Sequence, residues 1–428
     1  MNAPAIRQDL LAAAVARLPD NGLRAQRELA LARFARQGLP GTREEDWRYT
    51  SLQPAVDLSN AWLASQPRAV LPGDVPSDEM PVQPAQRAID AQWLRFLNGI
   101  RIGDTLPDPG TISIGRQPDD DRSLIADDGL SSLNAALLYD VVHIAVPEGV
   151  TITRPVGLLL ANDASENASV GMTRIVFEVG PGASLDVVEN HLSLSAEDSF
   201  AGVIIELRLA RGAQVRYLRL QECGEAQVLT GRLQVRIGQD ASLRYTSIDL
   251  GGALVRNDVA IDLVAAGSDI IANGLYLASG SQHIDNHLRI DHRVGPARSR
   301  AAFRGILHGR SRCVFNSKAI VYKGADGTDA GQSNHNLLLS DQAEIDTKPE
   351  LEIHADDVKC AHGATVGQLD EAALFYLRSR GIDADAASRM LTRAFAASVL
   401  GDLSVAAAAD YVAGRIDEHL DLLVSEPS

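Results

Sequence analysis

The chain has 428 residues, 45% of them hydrophobic and 22% charged, which is enough for a sizeable core and ordinary for a folded protein. Its formal charge of −16 argues against a nucleic-acid or anionic-membrane surface, because phosphate binding needs clustered Lys and Arg. Cys223, Cys313 and Cys360 are too scattered for a disulfide framework. With no signal-like start and no apolar run of transmembrane length, the expectation is a cytoplasmic protein with neither nucleic-acid nor membrane partners.

Residues 1–64 read as a helical region. "AIRQDLLAAAVARL" and "LRAQRELALARFARQG" repeat apolar residues at helical spacing, and Gly38 is a natural stop. The polar "GTREEDWRYTSL" (41–52) carries Glu44, Glu45 and Asp46, which read as a solvated turn rather than as catalytic carboxylates. Residues 65–90, with Pro67, Pro72, Pro76, Pro81 and Pro84, read as a linker or extended arm.

Residues 91–366 have the texture of strands, with short alternating runs such as "RIVFEV", "VIIELRLA", "QVRYLRL" and "VAIDLVA". A repeat accompanies them: Gly182-Ala183-Ser184-Leu185, Gly212-Ala213-Gln214-Val215, Asp240-Ala241-Ser242-Leu243 and Gly267-Ser268-Asp269-Ile270, with Gln342-Ala343-Glu344-Ile345 as a candidate later copy. Near-regular turns of this kind predict a β-solenoid whose coils stack into one elongated core, with a β-sandwich as the second choice.

Residues 367–428 return to helix. "DEAALFYLRSR" places Leu374, Tyr376 and Leu377 on one face. "DADAASRMLTRAFAASVL" begins at an Asp383 or Asp385 cap and carries Met390, Leu391, Phe395 and Val399, and "VAAAADYVAGRIDEHLDLL" supplies a third helix. Two roles compete for this tail: a cap over the open end of the solenoid, or a partner-docking face.

Several chemistries are excluded by the absence of GxxxxGK[ST], of GxGxxG after a strand, of GxSxG and of CxxC. Two clusters remain. In "HIDNHLRIDH", His283, Asp285 and His287 share a face of a strand, which suits either a metal or a polar ladder at a subunit contact. In "ELEIHADDVKCAH", Cys360 and His362 are two residues apart and share a strand face. They suit a soft metal or an iron–sulfur cluster, a Cys–His nucleophile pair, or a buried thiol beside a hydrogen-bonded imidazole.

At these residues the chain resembles a known family. "SRAAFRGIL", "TDAGQSNHNLLLS", "EIDTKPELEIHADDVKCAHGATVGQLDEAALFYLRSRGI" and "EEDWRYT" are similar to the SufB/SufD family of iron–sulfur cluster assembly scaffolds. The lack of a cysteine-rich insertion of the type found in SufB places the resemblance on the SufD branch. The resemblance implies a right-handed parallel β-helix core flanked by N-terminal and C-terminal α-helical regions, with no enzymatic activity of its own. It implies pairing with SufB through the β-helices, docking of the ATPase SufC on the C-terminal helices at 367–428, and a homodimer as a state open to the isolated chain. No cofactor is expected to be tightly bound in that isolated chain. The implied cargo is a transient iron–sulfur cluster at the SufB interface, with His362 as the ligand and Cys360 at the position of SufB's essential cysteine. The implied docking residues are Leu374, Tyr376, Arg378, Met390, Leu391 and Phe395. His335 stands where the family more often has arginine, which leaves any site role for it in doubt. A β-helix enzyme acting on an acidic polysaccharide is the alternative from another class, opposed by the 4% aromatic content, and a stand-alone metal-binding protein using 283–292 is a third reading.

Overall fold

A computed structural model describes residues 5–65, 80–103, 113–116, 127–165, 168–401 and 403–425. Pro67, Pro72 and Pro76 of the expected arm lie outside these. Eight helices are described: α1 (Gln8–Arg17), α2 (Arg24–Gln37), α3 (Gln53–Ala64), α4 (Pro84–Ala88), α5 (Gly129–Leu137), α6 (Glu371–Ser379), α7 (Ala384–Leu400) and α8 (Ala409–Ser425). The strands are β1 (Gln92–Leu97), β2 (Ile100–Ile102), β3 (Ser113–Arg116), β4 (Val141–Val146), β5 (Val156–Asn162), β6 (Ser169–Val179), β7 (Ser184–Ser193), β8 (Ser199–Leu209), β9 (Gln214–Glu222) and β10 (Gln227–Ile237). They continue as β11 (Ser242–Asp249), β12 (Leu254–Leu263), β13 (Asp269–Ala278), β14 (His283–His292), β15 (Arg298–Leu307), β16 (Arg312–Val321), β17 (Asp329–Leu338), β18 (Glu344–Ile353) and β19 (Lys359–Gly367).

From β4 onward the chain alternates between two sheets. Odd strands build a 10-stranded sheet in the order β19-β17-β15-β13-β11-β9-β7-β5-β1-β2, and even strands build a 9-stranded sheet in the order β18-β16-β14-β12-β10-β8-β6-β4-β3. Neighbours from β4 to β19 are parallel, so the protein is the expected β-solenoid, mostly β and flanked by helices. The repeat marks the coils. Gly182, Gly212, Asp240 and Gly267 turn the backbone with φ of 64°, 70°, 54° and 76°, a left-handed conformation open to Gly and tolerated by Asp. The aliphatic residue closing each repeat points inward, and Leu185, Val215, Leu243 and Ile270 stack in register in the core. Burying one such side chain contributes about 1.5–3 kcal/mol. Gln342-Ala343-Glu344-Ile345 is not a later copy in this sheet. It leads into β18 of the other sheet, where Glu344 pairs with Arg312, and the repeat continues instead at Ala297-Arg298 and Thr328-Asp329.

Helices cover both outer faces. α1, α2, α3 and α5 bury Leu11, Phe34, Val56 and Leu133 against Val176 and Phe200 of the even sheet. α5 is a helix that the strand-like texture after residue 130 did not announce. α7 and α8 lie on the odd sheet, where Val399, Val412, Ile416 and Leu420 meet Leu218, Leu220, Ile248 and Leu275. The tail therefore does not cap the solenoid: it runs along its flank, and the last coil stays exposed. The earlier end is finished differently, by the three-residue β2 and the four-residue β3, each antiparallel to its neighbour.

Candidate functional site

β18 and β19 are the last coil. Each pairs on one side only, with β16 and β17 respectively, so two strands of ten and nine residues present free edges. In-register parallel strands stack their residues in columns, and these columns locate the candidate ligands. The inward column of Leu185, Val215, Leu243 and Ile270 passes through Ser299 and Ala330 to Cys360. Its neighbour runs Val187, Tyr217, Tyr245, Ala272, Ala301, Gln332, His362. Both residues thus sit at core-facing positions that no further coil covers, Cys360 half-buried and His362 exposed. Ile353 and Val366, 43% and 49% exposed, end two further inward columns.

Burial pushes the Cys360 thiol up, against a backbone hydrogen bond from Ala330, and the Asp329 charge adds to the rise. The sulfur is therefore a neutral thiol near neutral pH and loses its proton only to an entering metal or base. Cys360 and His362 share no hydrogen bond, so the structure holds no prearranged nucleophile and base. Among the described residues no three His, Cys, Asp or Glu side chains converge as a metal site. The pair is at most part of a four-ligand shell.

The His283–His287 strand is a ladder occupied by protein. Thr50 Oγ1 donates its one proton to Asp285, so it accepts from His283 Nε2 at 2.9 Å, and it lies beside Arg256, whose Nη1 reaches Asp285 at 2.5 Å. His287 Nε2 is 3.1 Å from the same carboxylate. Burial alone would raise Asp285, but Arg256, His287 and Thr50 outweigh it and hold the carboxyl at about 2. Burial pushes His283 below the ordinary imidazole value. Trp47 stacks on Arg256 at 4.3 Å, Asp46 O accepts from Arg256 at 2.9 Å, and Glu45 reaches Lys348 of β18 at 2.9 Å. The acidic triplet is exposed as expected, but the flanking Trp47 and Thr50 are buried, which makes residues 45–50 a strap across the even sheet.

On the other flank, α6 has no buried residue and projects Tyr376, 58% exposed, and Phe375, 75% exposed and unremarked in the sequence. Phe375, Arg378 and Ile382 line an open groove at the α6–α7 turn. Met390 is exposed, whereas Leu374 and Leu391 are half-buried. Phe395 is turned inward, its ring 4.6 Å under the Arg304 guanidinium and its carbonyl accepting from Arg304 Nη1 at 3.1 Å. His335 points outward and bonds Thr365 at 2.7 Å, away from the inward column that ends at His362.

A buried polar seam inside the solenoid was not anticipated. Arg219 Nη1 donates to Asp249 at 2.6 Å and to Ser247 at 3.2 Å, and Glu189 takes His191 at 2.5 Å and Tyr217 OH at 2.6 Å. The only signal for it is polar residues at inward parity within strands, visible once register is known.

Comparison with known proteins agrees with this architecture. A family model described as "SUF system FeS cluster assembly, SufBD core domain" matches residues 160–395. The iron–sulfur cluster assembly protein SufD of Escherichia coli is 30% identical over 408 residues, covering 92% of each chain. An iron–sulfur cluster assembly SufBD family protein of Synechocystis is 27% identical over 86% of this chain and 84% of its own. SufD of Bacillus subtilis is 25% identical over 64% of this chain and 63% of its own.

Proposed function

This chain belongs to the SufB/SufD family of iron–sulfur cluster assembly proteins, and from that premise we propose that it is the non-catalytic SufD-type scaffold of an assembly complex, pairing with SufB and docking the ATPase SufC. The carrying observation is the asymmetry of the solenoid's ends. One end finishes in short antiparallel strands; the other leaves two long edges and the core-facing columns of both strands uncovered. Natural sheets blunt an edge that must stay alone with charge and proline; β18 carries Lys348 and Pro349, whereas β19 has no charged residue after Lys359 and no proline, so its open edge is the mark of a surface that a partner completes. A second β-solenoid is the partner of matching shape, and SufB is the family member that supplies one.

The cluster is cargo here. His362 offers an imidazole nitrogen at the rim of the shared interface, and Cys360 lies one column away, deeper and protonated until metal arrives. SufB supplies the remaining ligands, and burial of the paired ends keeps thiolates and nascent cluster from oxidation. Co-expression with SufB and SufC tests the assignment. His362→Ala is expected to abolish cluster content and complementation of a suf-deficient strain while leaving co-purification intact; unchanged cluster content would sink the ligand role.

SufC docking belongs to α6 and the α6–α7 groove, where Phe375 is 75% exposed and Tyr376, under the Arg380 guanidinium, is 58% exposed. α7 and α8 are bound into the odd sheet, so removing the whole tail would strip an apolar face. Substitution is the cleaner probe. Phe375→Asp with Tyr376→Asp is expected to abolish SufC co-purification, with SufB pairing and melting temperature unchanged; retained SufC would move the docking site elsewhere.

A further inference from the structure

Gln332 is the residue immediately beneath His362 in the inward column, one strand spacing, about 4.8 Å, away along the solenoid axis. Unlike His362 it is buried. Its carboxamide crosses the lumen from the odd sheet to the even sheet. Oε1 accepts from Ser317 Oγ of β16 at 2.5 Å, and Nε2 donates to the Glu350 carbonyl of β18 at 3.4 Å. Ser317 is itself fully enclosed, so this hydroxyl is committed to Gln332. β18 is steadied from outside, where Lys348 bridges Glu350 at 3.1 Å and Glu45 of the strap at 2.9 Å.

The preceding residues of the same column, Ala272 and Ala301, are small. Without a crossbar the lumen beneath His362 would have no polar floor. An amide carries two N–H donors and an acceptor with two lone pairs, so serving Ser317 and Glu350 leaves one N–H and one lone pair unspent in a residue whose in-register neighbour is His362.

We propose that Gln332 is the positioning residue for His362: pinned between Ser317 and the Glu350 carbonyl, its carboxamide is the floor that holds the imidazole up toward the partner at the open end. This rests on the ligand role of His362 given above. Ligand-orienting groups of this kind typically cost about 10–100-fold in metal affinity or activity when removed.

The test compares Gln332→Leu, Gln332→Glu and His362→Ala in the complex co-expressed with SufB and SufC, reading iron and acid-labile sulfide, SufB co-purification and melting temperature. Gln332→Leu is expected to lower cluster content about tenfold or more with pairing and melting unchanged. Gln332→Glu, which keeps the acceptor for Ser317 but loses the donor to the Glu350 carbonyl, is expected to restore part of it. In the isolated full-length chain labelled with ¹⁵N-histidine, Gln332→Leu is expected to shift the ring signals of His362 and leave those of His191 and His292 in place. Normal cluster content in Gln332→Leu beside its loss in His362→Ala overturns the inference and spares the ligand reading. Normal content in His362→Ala fails the ligand reading itself, and the inference with it. Loss in Gln332→Leu accompanied by lost pairing or melting, unrescued by Gln332→Glu, makes the residue merely structural and overturns the positioning role.

Discussion

Arg219 is among the largest side chains wholly enclosed in the solenoid, and its charge is answered by Asp249 at 2.6 Å. A buried pair of this kind adds little over apolar packing, but breaking it leaves an uncompensated ion. Asp249→Ala is therefore expected to destabilise by about 3–5 kcal/mol, read by urea unfolding, and joint replacement of Arg219 and Asp249 by apolar residues is expected to recover most of it. The histidines set a pH limit. Burial alone drives His292, which shares a hydrogen bond with Ser299 at 3.0 Å, down to about 4. Its folded value lies below the ordinary imidazole value of about 6.5, so its contribution is complete above that value and is lost as pH falls toward 4. The displacement from the ordinary imidazole value to about 4 corresponds to about 3 kcal/mol. His283 shifts in the same direction, so stability is expected to fall steadily from pH 7 to pH 4.5, and His292→Gln is expected to flatten part of that slope in thermal melts.

The strap is an element that packing creates out of an irregular segment. Thr50→Val removes a hydroxyl shared by Asp285 and His283, an expected loss of about 1–3 kcal/mol. Trp47→Ala removes a buried ring from Arg256, an expected loss of about 3–5 kcal/mol. Both losses are expected to be local. Amide exchange should speed in α1 to α3 while β7 to β17 keep their protection; uniform loss across the solenoid would show that the strap does not act on the helical layer. At this scale the limits of sequence reading have physical causes. The coils were legible because left-handed turns favour Gly or Asp, as at Gly182 and Asp240, α7 was legible from period and cap, and α8 from period. α5 was missed although its signal is present: Leu130, Leu133 and Leu137 recur at helical spacing behind an Asp128 cap, but the run is short and stands beside strand-like segments. Cys360 and His362 could be placed on one strand face from spacing alone. That this face looks into an open lumen, with Gln332 beneath, depends on a register carried through six preceding coils of unequal length.

As a whole molecule the protein is a two-sheet spiral with both flanks clothed by helices and one end bare. Its interior columns do not terminate in charged residues; Ile353, Cys360, His362 and Val366 are among the residues they end on. Such an end is completed by any copy of the fold that offers a matching one, including a second copy of this chain when SufB is absent. The isolated protein is therefore expected to sediment as a concentration-dependent dimer, and adding SufB is expected to convert it to the heterodimer, as the proposed shared surface requires. Ile353→Lys with Val366→Lys places two charges on the bare end without touching either flank. The double variant is expected to sediment as a monomer, to lose SufB, and to keep SufC, whose proposed docking face lies on the odd-sheet flank. If the variant still dimerised while failing to bind SufB, the two associations would use different surfaces, and the bare end would belong to the heterocomplex alone.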